Sequence, residues 1–97
     1  MVLVEMEYDD EMYQIMVSVG AIDPADLKVT LEEGRVRVFG QAFDQLNNGE
    51  PGVSATCDWS TKLSKLADGS QPWTTSIVPA PKGVGGHIYI KFPRKHA

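Results

Sequence analysis

The sequence predicts an all-β fold, an antiparallel β-sandwich of about 6–8 strands. Three observations carry that expectation. Apolar residues recur with a period of two in several short segments. No segment shows the 3.6-residue period of a helix of normal length. Clusters of Gly, Pro, Asn and Asp separate the segments at short intervals. Ninety-seven residues make one domain, residues 1–97, with its core expected over 12–93.

The clearest strand is Met12 to Val19, where Tyr13, Ile15, Val17 and Val19 fall on one face and Met12, Gln14, Met16 and Ser18 on the other. Gly20 ends it. Asp23-Pro24-Ala25-Asp26 then reads as one helical or 3₁₀ turn, with Asp23 able to cap, Pro24 suited to the first turn and Asp26 at the positive end. Leu27 to Leu31 alternates again, Glu32-Glu33-Gly34 is a tight turn, and Arg35 to Phe39 returns as the second strand of a hairpin, closed by Gly40. Leu27, Val29, Leu31, Val36 and Val38 face inward; Lys28, Arg35 and Arg37 face water.

Residues 41–52 are polar and rich in turn formers, and they read as a loop holding at most a short edge strand around Ala42 to Leu46. Val53 to Leu63 is a long strand with one buried face, carrying Val53, Ala55, Cys57, Trp59, Thr61 and Leu63. Cys57 on that face is a buried, inert thiol rather than a nucleophile. Residues 67–72 form a turn, Trp73 to Val78 a further strand, and residues 79–86 a stiff and then flexible connection. His87 to Phe92 is the last strand, with Ile88, Ile90 and Phe92 inward and His87, Tyr89 and Lys91 outward; Pro93 stops it. Trp59 reads as core. Trp73, at the start of its strand, reads either as rim packing or as an exposed contact point.

Charge and motifs exclude several function classes. The net charge is −4, which argues against nucleic acid as the main partner, because phosphate binding rests on clustered Lys and Arg. Residues 1–33 hold nine acids and one base, Lys28, whereas the remainder holds four acids and eight bases. The acidic N-terminal stretch reads either as a docking surface or as a solvated edge that prevents sticking. One cysteine and two histidines are too few for a four-ligand zinc site. No apolar run approaches the length of a membrane span, and the N-terminus lacks the features of a signal peptide, so the cytoplasm is the expected compartment. No P-loop, GxGxxG or HExxH occurs. No catalytic residue, metal or cofactor is expected.

Residues 21–40, AIDPADLKVTLEEGRVRVFG, resemble the α-crystallin domain of small heat-shock proteins. That family shows a Ser/Asp-Pro-Glu-Asp-Leu turn, a strand of Lys-Val-x-Leu character, a hairpin and a second strand ending in glycine. Residues 86–95, GHIYIKFPRK, look like its closing Gly-Val-Leu-x-Val-x-x-Pro element, and Val53 to Leu66 occupies the place of its long middle strand. The chain departs from the pattern at His87, where valine is usual, and at Lys65-Leu66-Ala67, where Leu-Pro is usual. Almost no arm precedes the first expected strand, and the Ile-x-Ile/Val tail is missing.

The resemblance implies an immunoglobulin-like sandwich of α-crystallin type and an ATP-independent chaperone of the stress response, a holdase for partly unfolded clients. It implies a groove between Leu27–Leu31 and Trp73–Val78, lined by Leu27, Val29, Leu31, Trp73, Thr75 and Ile77; read from the pattern alone, the same residues are equally sandwich core. The alternative is a non-catalytic docking adaptor or co-chaperone of the same architecture, like the CS-domain co-chaperones, using an acidic surface of Glu5, Glu7, Asp9, Asp10 and Glu11. Either way the expected partners are unfolded or partner proteins, with no nucleic acid and no membrane, and the chain is expected as a monomer or an edge-paired dimer.

Overall fold

In the computed structural model, which describes residues 2–45, 48–81 and 85–95, the alternating segments form two antiparallel sheets. The strands are β1 (Val2–Tyr8), β2 (Met12–Val19), β3 (Leu27–Glu32), β4 (Arg35–Gln45), β5 (Pro51–Lys62), β6 (Thr74–Pro79) and β7 (Gly86–Pro93), with a 3₁₀ turn over Pro24–Asp26. One sheet has the order β1-β2-β7-β6 and the other β3-β4-β5. The expected sandwich is therefore observed.

The core lies between the sheets and comes from the inward set of each alternation. The central strands β2 and β7 supply Tyr13, Ile15, Val17, Val19, Ile88, Ile90 and Phe92, and the facing sheet supplies Val36, Val38 and Cys57. Cross-strand pairs such as Ile15 opposite Ile90 and Val17 opposite Ile88 set the register of β2 against β7. A one-residue slip would turn this whole set to water, so the pattern itself fixes the pairing.

The crossing between sheets is short and capped. The Asp23 carboxylate accepts from the Ala25 N–H at 3.0 Å, and the Asp26 N–H donates to the Asp23 carbonyl at 2.8 Å. Pro24 is buried at the first position of the turn. Here β3 starts opposite the end of the first half of β4, with Leu27 paired to Gly40. A Cβ at Gly40 would come within 2.6 Å of the Asp26 carbonyl oxygen and 2.9 Å of Leu27 Cδ2, so only glycine lets the strands approach there. The β3–β4 turn places Glu33 at φ 51° and Gly34 at φ 74°, the double positive φ of a two-residue hairpin turn.

Two regions differ from the expectation. The sequence reading starts the strands at Met12, but Val2–Tyr8 already pair with β2, with Val4 opposite Val17 and Met6 opposite Ile15. Val4, Met6 and Tyr8 share the inward parity of β2, and the intervening Glu5 and Glu7 are accommodated because an edge strand keeps one face in water. Residues 41–52 are mostly not a loop. β4 runs on to Gln45 and β5 begins at Pro51, so the hairpin is long and continues past a register shift at Ala42/Phe43. Proline is tolerated at the first residue of β5. Phe43 and Val53, paired beyond the shift, are both more than half exposed. Of the other expectations, Leu46, residues 82–84 of the flexible connection, and His96 lie outside the described residues.

Candidate functional site

The four-stranded sheet is wider than the sheet that faces it. Its central strands are covered, with Ile15 and Ile88 each 1% exposed. Its edges are not. Met6, directly opposite Ile15, and Ile77, directly opposite Ile88, are each 46% exposed, although both point to the inner face. The inner surfaces of both β1 and β6 therefore overhang the core, and they open into different surroundings.

On the β6 side the overhang faces β3 across a groove of 320 Å³, lined by Pro24, Leu27, Val29, Trp73, Thr75, Ile77 and Ile88. β3, the edge strand of the second sheet, contributes one wall, with Leu27 and Val29 half-buried against the core. Trp73 is held at one end by stacking on Phe92, with ring centroids 5.3 Å apart and planes at 25°. Thr75 and Ile77 form the open rim, pointing inward but exposed. Both flanking strands are sheet edges, so each presents unpaired main-chain N–H and C=O groups to the groove.

The structure brings five of the six residues named from the sequence onto this groove. The sixth, Leu31, lies farther along β3, half-buried beside Gly69 and Leu63. Pro24 and Ile88 also line the groove. The sequence marks them only as a turn residue and a core residue; both are buried in the structure, and their place at the base of the groove depends on how far β6 overhangs, which no local pattern records.

The acidic residues divide into two groups. Glu5 and Glu7 lie on the outer face of β1, opposite Met16 and Gln14 of β2, and both are exposed. Asp9, Asp10 and Glu11 form the exposed β1–β2 turn. There the Asp9 carboxylate accepts from the Glu11 and Met12 N–H groups at 2.8 Å each, and these bonds hold its pKa below the usual aspartate value. Arg94 closes this end of the molecule. Its guanidinium donates to the Asp9 carbonyl at 2.7 Å and lies 4.8 Å from the centre of the Tyr8 ring, which in turn stacks on Tyr13 at 6.4 Å.

Other polar groups are satisfied locally. Ser18 Oγ lies 2.7 Å from His87 Nδ1 on the outer face of the four-stranded sheet. Arg37 binds Asp58 through two hydrogen bonds of 3.0 and 2.9 Å, which pull the Asp58 pKa down and raise that of Arg37, and its guanidinium covers Phe39 at 4.3 Å. These groups line a shallow depression of 400 Å³ on the outer face of β4 and β5, wider than the groove but with its arginine already paired. Cys57 is 4% exposed, and desolvation raises its thiol pKa, the environment of an unreactive cysteine. Among the described residues no group of three metal-ligating side chains occurs. No helix among them is long and apolar enough to cross a membrane.

No protein-family model matches the chain, and no curated protein matches it by sequence. Solved structures do match in fold. Stress-induced protein 1 from Caenorhabditis elegans is 20% identical with a TM-score of 0.64, over 96% of this chain and 88% of that one. A small heat-shock protein from Xylella fastidiosa, described as having a distinct high order structure, is 16% identical with a TM-score of 0.66, over 100% of this chain and 88% of its own. The sheet orders, the capped crossing and this full-length match lead to one structural conclusion: the chain folds as an α-crystallin-like domain.

Proposed function

We propose that this protein is an ATP-independent holdase of the small heat-shock type, which captures segments of partly unfolded proteins in the β3–β6 groove. The observation that carries the reading is a groove that sets apolar side chains from both sheets beside two strand edges. Leu27, Val29, Trp73 and Ile77 offer apolar surface, and the edges of β3 and β6 offer main-chain hydrogen bonds. An unfolded client exposes the same two things, apolar side chains and unpaired backbone. Capture of this kind needs no nucleotide, metal or catalytic group. It fits a protein that acts in the cytoplasm during stress, as a monomer or an edge-paired dimer, on protein clients. The full-length fold match to a small heat-shock protein supports the same reading.

The test is light scattering of a heat-labile client, with and without the chain. Wild type should suppress aggregation at a near-equal molar ratio. Thr75→Lys with Ile77→Lys, which charges the exposed rim of the groove, should lose that protection while circular dichroism and size-exclusion light scattering stay unchanged. No suppression at several-fold molar excess would overturn the reading.

A further inference from the structure

We propose that the outer face of the four-stranded sheet docks a second copy of this chain, face to face about a twofold axis parallel to the strands. The face lies on the reverse of the sheet from the β3–β6 groove, so the inference does not depend on what the groove holds. Its residues are the outward half of each alternation, and the register sets them in three cross-strand rows. The first row is Leu3, Ser18, His87 and Val78; the second is Glu5, Met16, Tyr89 and Ser76; the third is Glu7, Gln14, Lys91 and Thr74.

Two features set this face apart from an ordinary solvated one, which is polar along its length. The first is apolar surface. Leu3 and Val78 are 59% and 47% exposed at two corners, and Met16 and Tyr89 sit side by side at the centre. Between the corners, Ser18 Oγ and His87 Nδ1 engage each other at 2.7 Å. The second feature is charge that is sparse and segregated. Glu5 and Glu7 stand on β1 and Lys91 on β7, and among the described residues none of the three is in an ion pair.

This layout is complementary to itself. A twofold axis running along the strands between β2 and β7 lays β1 on the partner's β6 and β2 on the partner's β7, row on row. Leu3 then meets the partner's Val78, and Met16 meets the partner's Tyr89. Lys91 meets the partner's Gln14, with the partner's Glu7 one strand over. Each contact occurs twice, and the charges face opposite charges. The other face-to-face twofold runs across the strands; it lays β1 on the partner's β1 and stacks glutamates on glutamates, which repel. Aligned sheet packing, at about 30° between strand directions, keeps the central Met16–Tyr89 row in contact. At about 30 Å² per interface residue, the three rows bury about 400 Å² per copy, the scale of a weak, reversible dimer. The contact uses side chains only, so it leaves the sheet edges unpaired and both grooves open.

The test is sedimentation equilibrium of the whole chain at low salt, from about 10 μM to about 1 mM. Wild type should pass from monomer to dimer over this range and stop there, because a twofold contact uses the same patch on both copies and closes. Lys91→Glu and Glu7→Lys should each weaken the dimer at least about tenfold, since each sets like charges together in both Lys91–Glu7 contacts. An equimolar mixture of the two variants should recover the dimer, because in the mixed pair both contacts again join opposite charges. Circular dichroism of both variants should match wild type. A wild type still monomeric at about 1 mM, assembly that grows past a dimer, a dimer that either variant leaves intact, or a mixture that stays monomeric would each overturn the proposal.

Discussion

The two edges of the four-stranded sheet make a controlled comparison within one small domain. Each turns an apolar strand face toward the sandwich interior, and on each the central residue is exposed to the same degree, Met6 on β1 and Ile77 on β6. They differ in what lies opposite and beside them. β6 faces β3 across a groove with apolar side chains on both sides, and Thr74, Ser76 and Val78 lie on its outer side. β1 leaves Met6 and Tyr8 open to solvent, and its outer side carries Glu5 and Glu7. An edge that is apolar and walled suits many unfolded sequences, because burial is non-directional. An edge that is apolar and charged suits few, because charges must match in position.

The largest effects should separate the covered floor from the open edges. Ile15→Ala beside β1 and Ile88→Ala beside β6 should each destabilise the domain by about 2–5 kcal/mol in urea unfolding, since both side chains are fully buried. Met6→Ala and Ile77→Ala should each cost about 1 kcal/mol or less, because half of each side chain already meets water. If either edge residue cost as much as its floor partner, the overhang on that side would be contradicted. A somewhat smaller loss, about 1–3 kcal/mol, is expected for Gly40→Ala, where the new Cβ meets the Asp26 carbonyl and the start of β3, one wall of the groove. That variant should weaken client protection.

Salt sharpens the comparison further. Raising ionic strength from low to about 0.5 M shortens the screening length to a few ångströms. Suppression of client aggregation by the groove should hold, because it rests on apolar contact and main-chain hydrogen bonds rather than on the acidic β1 side. Suppression that faded in step with ionic strength would point to the charged β1 side instead of the groove.

The smallest effect is on acid stability. Asp9, Asp58 and Asp68 all have folded pKa values below their ordinary value, Asp9 through the backbone N–H groups of Glu11 and Met12, Asp58 through Arg37, and Asp68 through Ser70. A depressed carboxylate stabilises the fold above its unfolded pKa and loses that contribution as pH falls through the folded value. The urea midpoint should therefore be flat near neutrality and decline below about pH 4. The decline should be slight, because all three groups lie at the solvent-exposed surface. Asp9→Asn should lower the midpoint at neutral pH by loosening the β1–β2 turn and should lessen the decline by removing one titrating group, and a midpoint that rose on acidification would contradict the assignment.

Where burial followed a local pattern, the sequence was a sufficient guide. The alternation of β2 and β7, the Asp23-Pro24 cap and the Glu33-Gly34 turn all depend on neighbours a few residues apart, and each is observed as expected. β1 was hidden because Glu5 and Glu7 made an alternating strand look like a charged terminus. Residues 41–52 were hidden because Asn, Gly and Pro cluster there, although the ladder between β4 and β5 outruns their turn preference. The groove was legible only through the resemblance. Leu27, Val29 and Ile77 look like core residues in any local window, and it is the unequal width of two sheets that leaves Ile77 open and Leu27 half-covered.

The central claim is that unfolded chains are held in the β3–β6 groove, and amide hydrogen exchange of the protein, measured with and without a heat-denatured client, tests it most directly. The account predicts slowed exchange at Leu27–Leu31 and Thr74–Val78, with β1 unchanged. Slowed exchange confined to Val2–Tyr8, or absent from both groove strands while the client stays soluble, would contradict it.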